Sequence, residues 1–72
     1  MSFQAYLENI RAKTGKSTSD FEALAKNKGW MDNVGIKEGV TATQITDWLK
    51  QEFGLGHGHA MAMYAWLKGK RP

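Results

Sequence analysis

Residues 41–60 decide the fold: Thr41-Ala42-Thr43-Gln44-Ile45-Thr46-Asp47-Trp48-Leu49-Lys50-Gln51-Glu52-Phe53-Gly54-Leu55-Gly56-His57-Gly58-His59-Ala60. Ile45, Trp48, Leu49 and Phe53 recur at the spacing of one helical face, and no apolar–polar alternation of a strand competes with them. Thr41, followed three residues later by Gln44, is a capping box that opens this helix. Gly54, Gly56 and Gly58 then interrupt the period, because glycine accepts the left-handed conformation that ends a helix. Apolar residues resume beyond the glycines, so the stretch reads as helix, tight turn, helix, over about 42–53 and 58–68.

Working outward, the same grammar yields two more helices. Phe3, Tyr6, Leu7 and Ile10 share a face over about 3–14, with Ser2 as the cap and Gly15 as the stop. Thr18 or Ser19 is expected to cap a helix over about 19–28, with Glu22 completing a box from Ser19 and Phe21, Leu24 and Ala25 as its inner stripe. Residues 29–40 have no period and read as an irregular loop or short helical turn, with Trp30, Met31, Val34 and Ile36 turned inward. The last helix is expected to pack through Ala60, Met61, Tyr64 and Leu67, and Met63, Ala62 and Trp66 around it imply burial on more than one side. The fold class is all-α: one domain, residues 1–72, built as a compact bundle of about four short helices.

Composition narrows the function classes. Seventy-two residues are too few for a doubly wound sheet or a β/α barrel, which excludes most large-sheet enzyme architectures. The absence of cysteine removes disulfides, thiolate nucleophiles and cysteine-held zinc together. Three Trp, three Phe and two Tyr are then the means of filling a core without staples. No apolar run approaches the roughly 18 residues of a membrane span, and MSFQAYLENIRAK is not a signal peptide, so a cytoplasmic location with no membrane partner is expected.

The net charge is +3, and it is local. Residues 1–52 hold seven basic side chains and all seven acids, whereas Lys68, Lys70 and Arg71 follow with no acid near them. Such a basic end attracts phosphate or an acidic partner, and it also complements the dipole of the last helix.

Two local patterns resemble catalytic motifs and do not complete them. Gly15-Lys16-Ser17-Thr18 matches the end of a phosphate-binding P-loop, but Ile10 stands where the first glycine belongs and a helix precedes it instead of a strand. His57 and His59 offer two imidazoles, where catalytic zinc takes three protein ligands and no further His or Cys exists. No metal and no cofactor are expected. Ser2, Ser17 and Ser19 all read as helix starts, outside any nucleophile elbow, so no catalytic residue is assigned and the domain is expected not to be an enzyme.

Gly54, Leu55, Gly56 and Ala60 between two helices resemble the hairpin of the helix-hairpin-helix family, whose pattern is Gly-hydrophobic-Gly-x-x-x-Ala. The resemblance implies that backbone N–H groups at the turn meet a nucleic-acid phosphate, without reading bases. Phe53 stands where that family commonly has proline, and His57, Gly58 and His59 stand where it often has Lys or Arg. Ala5 to Ile10 (AYLENI), Lys13 to Lys16 (KTGK) and Gly54 to Ala60 (GLGHGHA) also resemble, together, a family of small bacterial domains of unknown function. That second resemblance implies a bacterial helical module and assigns no activity.

The expected function is a non-enzymatic helical binding module with Gly54, Gly56, His57, Gly58, His59, Lys68, Lys70 and Arg71 as its phosphate-binding candidates. The alternative is a protein-interaction or structural domain with no nucleic-acid binding. The two diverge on whether Lys68, Lys70 and Arg71 lie on the same side as the amides of residues 56–59.

Overall fold

The computed structural model describes residues 1–72 as four helices: α1 Phe3–Thr14, α2 Thr18–Asn27, α3 Ala42–Phe53 and α4 His57–Lys68. Three of the four starts have a side-chain cap as their local cause. Ser2 Oγ accepts from the Ala5 amide at 3.1 Å, and Thr41 and Gln44 form the reciprocal box expected of them. For α2 the cap moves: Ser17, not Thr18 or Ser19, is the N-cap, and Asp20, not Glu22, is its partner. The Ser17 N–H donates to Asp20 Oδ2 at 2.9 Å, and Ser17 Oγ accepts from the Asp20 N–H at 3.2 Å. The i, i+3 logic is unchanged. The connection after Gly15, which is left-handed at φ 73°, is simply shorter than expected.

The segment between α2 and α3 is neither formless nor helical. It folds back on itself through an isolated antiparallel bridge, Met31 to Ile36, with the Lys37 N–H donating to Trp30 O at 2.9 Å. Asp32 Oδ1 accepts from the amides of Val34 and Gly35 at 2.8 and 3.1 Å, which closes the tip. Val34 is therefore thrown outward, 97% exposed, against the inward placement expected for it. Met31 is buried, and Trp30 and Ile36 pack half-buried against the core.

These two aspartates give the domain a pH dependence. Amide hydrogen bonds, from Ser17 to Asp20 and from Val34 and Gly35 to Asp32, hold both carboxyls below their ordinary value of 3.8. A depressed carboxyl contributes stability above its unfolded pKa and loses it as the pH falls through the folded value. Melting followed by circular dichroism should therefore drop as the pH goes below about 4. The drop should be shallower in the Asp20→Asn/Asp32→Asn double variant, and an identical profile would refute this assignment.

Helix α4 is the element against which the other three pack. Ile10 of α1, Phe21 and Ala25 of α2, Ile45 and Leu49 of α3, and Ala60 and Met63 of α4 are almost fully buried together. The inner face of α4 is Ala60, Met63 and Leu67, with Ala62 buried as well. Met61, expected inside, is 39% exposed, because the helix wedges between α1 and α3 and presents the 60–63–67 line to them. Trp48 is buried as expected, whereas Phe53 is half-buried at the margin of the core. No buried side-chain nitrogen or oxygen lacks a hydrogen-bond partner, so the interior is self-sufficient and the candidate chemistry lies at the surface.

Candidate functional site

The glycine-rich turn is built by two helix ends. Gly54 ends α3 in the left-handed conformation, φ 65°, and its N–H donates to Lys50 O at 3.1 Å. Leu55 follows, 4% exposed, and anchors the turn as expected. Gly56 then caps α4 in extended conformation, φ −71° and ψ 168°, with open space where a Cβ would stand. Only the first of these two glycines is required by its backbone. Ala60 is fully buried and gives α4 its close approach to the core.

With glycine as the cap, no side chain hydrogen-bonds the start of α4. The first helical hydrogen bond runs from the Ala60 N–H to Gly56 O at 2.9 Å, so the amides of His57, Gly58 and His59 precede it and face outward from the ladder. His57 is exposed, while His59 is half-buried with its ring edge-on to Tyr6, centroids 4.8 Å apart. Gly58 has a packing reason of its own: a Cβ there would come within 3.1 Å of Tyr6 Oη.

The cation beside this turn is Lys13 of α1, whose Nζ donates to Gly54 O at 2.6 Å. Lys13, Asn9 and Ile10 join Leu55, Gly56 and His59 around a groove of about 310 Å³. Lys13 stands 41 residues from its partner in sequence, and no local pattern linked the two.

Lys68, Lys70 and Arg71 lie at the opposite end of α4 from the turn. Eleven steps of 1.5 Å separate His57 from Lys68 by about 16 Å along the helix. Each cation stands over a ring: Lys68 Nζ 5.6 Å from Tyr64, Lys70 Nζ 4.9 Å from Phe3, and the Arg71 guanidinium 3.9 Å from Trp66. Arg71 Nη1 also donates to Trp66 O and Lys70 O, both at 2.8 Å. These residues serve the C-terminus of α4, where cations complement the dipole. Of the expected phosphate candidates, Gly58 and Lys70 border one channel, whereas Lys68 and Arg71 stand at the far end of α4 from the amides of residues 56–59.

A second surface feature was not foreseen. An open channel of about 310 Å³ runs between α1 and α4. Phe3 and Tyr6 form its α1 wall, and Gly58, Met61, Ala62 and Ala65 form its α4 wall and floor. Met1 and Lys70 border it. The sequence signal was the uninterrupted apolar run Ala60 to Leu67, which gives α4 more apolar surface than its three neighbours cover.

No group of three or more His, Cys, Asp or Glu side chains converges as a metal site would require, and no helix is long and apolar enough to cross a membrane. No curated protein and no solved structure matches the chain. One family model does, over residues 2–69, nearly the whole bundle from the α1 cap to the left-handed glycine that ends α4. The chain therefore belongs to the domain of unknown function family DUF4287.

Proposed function

We propose that the domain is a non-enzymatic helical binding module that docks on a protein partner through the channel between α1 and α4. The carrying observation is Met61, a large apolar side chain left 39% exposed on the helix that is otherwise the centre of the core. Methionine adapts its shape to a partner, and the half-buried Phe3 and Tyr6 opposite it extend the apolar surface. Ser2 and Ser17 are engaged as helix caps, which supports a role other than nucleophilic catalysis. The module is taken to be bacterial and cytoplasmic.

A photo-crosslinking residue placed at position 61 tests the reading in living cells, with the same residue at the exposed Gln51 of α3 as the control. Discrete protein adducts from position 61 and none from position 51 are expected. Equal labelling from both positions, or none from 61, overturns the reading.

The uncapped start of α4 favours a second reading, in which the amides of His57, Gly58 and His59 receive a nucleic-acid phosphate beside Lys13. Gly56→Asp tests it, because a carboxylate at the cap takes the place of the phosphate. That substitution should stabilise the free domain by about 0.5–1 kcal/mol in thermal melts, through the cap and the dipole together. In fluorescence titrations with duplex and single-stranded DNA it should abolish binding. At 0.1 M salt or above, the Lys68, Lys70 and Arg71 triple change to Gln should weaken binding less than Gly56→Asp does, since the roughly 16 Å from His57 to Lys68 along the helix exceeds the screening length there. No DNA binding by the unmodified domain at low salt ends this second reading.

A further inference from the structure

We infer that the corner between Trp30 and Trp48 is a binding site for a quaternary ammonium group, which enters as the side chain of Lys28 swings out. The two indoles stand almost at right angles, 87°, with their centroids 5.5 Å apart. Lys28 Nζ lies over both, 5.1 Å from the Trp30 ring and 5.5 Å from that of Trp48. A carboxylate completes the set, with Glu52 Oε1 4.0 Å from the same nitrogen. The chain thus holds a cation of its own where two ring systems and one acid converge. Such an arrangement selects a cation by its charge and its apolar coat together.

The distances favour methyl groups over N–H. At 4.0 Å, Lys28 and Glu52 attract by charge without a hydrogen bond, so the ammonium's donors gain little from the carboxylate. A trimethylammonium keeps the charge and has no donor to satisfy. A methyl carried toward either ring on a bond of about 1.5 Å brings its carbon to about 3.6–4.0 Å from the ring centre, which is van der Waals contact.

The walls are fixed, and the side chain that fills the corner is loosely held. Trp48 is buried, with Phe21 and Phe53 edge-on against it, and its indole N–H donates to Glu52 Oε2, which also fixes the carboxylate. The backbone of Trp30 is pinned on both sides: its N–H donates to Ala25 O at 3.0 Å, and its carbonyl accepts from the Lys37 N–H at 2.9 Å. Lys28 is the residue just past α2, and its side chain is 36% exposed. Its departure into solvent opens the outer side of Trp48 and breaks no hydrogen bond to Glu52.

The test is a titration of the unmodified domain with tetramethylammonium chloride, followed through the three indole N–H signals in nuclear magnetic resonance at constant ionic strength. Saturable shifts at Trp30 and Trp48, none at Trp66, and none at any indole with ammonium chloride are expected. Lys28→Ala, checked for unchanged melting, removes the competing cation and should bind at least about tenfold more tightly. Glu52→Gln keeps an acceptor for the Trp48 indole, loses the charge and should bind at least about threefold more weakly. Choline and a peptide carrying trimethyllysine then separate the sources of the group. Equal affinity for the two would assign the site to a small molecule, and a clear preference for the peptide to a methylated side chain. No saturable shift in the unmodified domain would overturn the inference, as would equal shifts with ammonium. Binding by Lys28→Ala alone would also overturn it, by making Lys28 a permanent part of the fold.

Discussion

Trp48→Ala is expected to cost the domain about 3–5 kcal/mol, which is most or all of the stability a chain of this size holds. Trp48 is 6% exposed and stands at the hub of the aromatic side of the core. Its ring lies 5.5 Å from Trp30, 5.5 Å from Phe53 and 6.5 Å from Phe21, each contact nearly edge to face. The indole N–H donates to Glu52 Oε2 at 2.7 Å, so the polar end of the side chain is satisfied one helical turn along α3. Lys28 covers the outer side, its Nζ 5.5 Å from the ring and 4.0 Å from Glu52 Oε1. Truncation empties a volume that α2, α3 and the 29–40 segment all border. Loss of the cooperative thermal transition is the expected outcome, with Trp48→Phe retaining a reduced one. An Ala variant that melts within a degree or two of the unmodified domain would show that this cluster is not the core.

The second large effect is at Gly54. Its φ of 65° is left-handed, a conformation that costs an alanine about 1–2 kcal/mol, and Gly54→Ala should lose that amount in chemical denaturation. Gly56→Ala, two residues on, should lose less, about 0.5–1 kcal/mol, because alanine is the poorer N-cap but that backbone is extended and the Cβ meets nothing. The contrast separates the two glycines that the hairpin resemblance treats alike. Equal losses at both positions would mean that the turn has a different backbone.

Most of the fold was legible because its signals are local. Ser2, Thr41 with Gln44, and Gly15 and Gly54 set helix ends within a few residues of themselves, through hydrogen bonds and φ values that need no distant partner. The periodic faces of α1 and α3 were legible for the same reason, since a helix repeats its exposure every turn. Even the misplaced capping box of α2 followed the right rule two residues away, at Ser17 and Asp20.

Tertiary structure decided what no local pattern contains. Met61 and Met63 are equally apolar, and only the wedge of α4 between α1 and α3 buries one and exposes the other. Val34 is apolar in sequence and outermost in space, because the hydrogen bonds of Asp32 set the tip of its turn. Lys13 reaches the glycine turn across 41 residues, whereas Lys68 and Arg71, close to that turn in sequence, are held away from it by the length of a rigid helix. Sequence determined where the helices start, stop and turn apolar, since those are energies between near neighbours. Which faces met, and so which cations and which methionine stand at a surface able to bind, was decided only when four amphipathic helices shared one core.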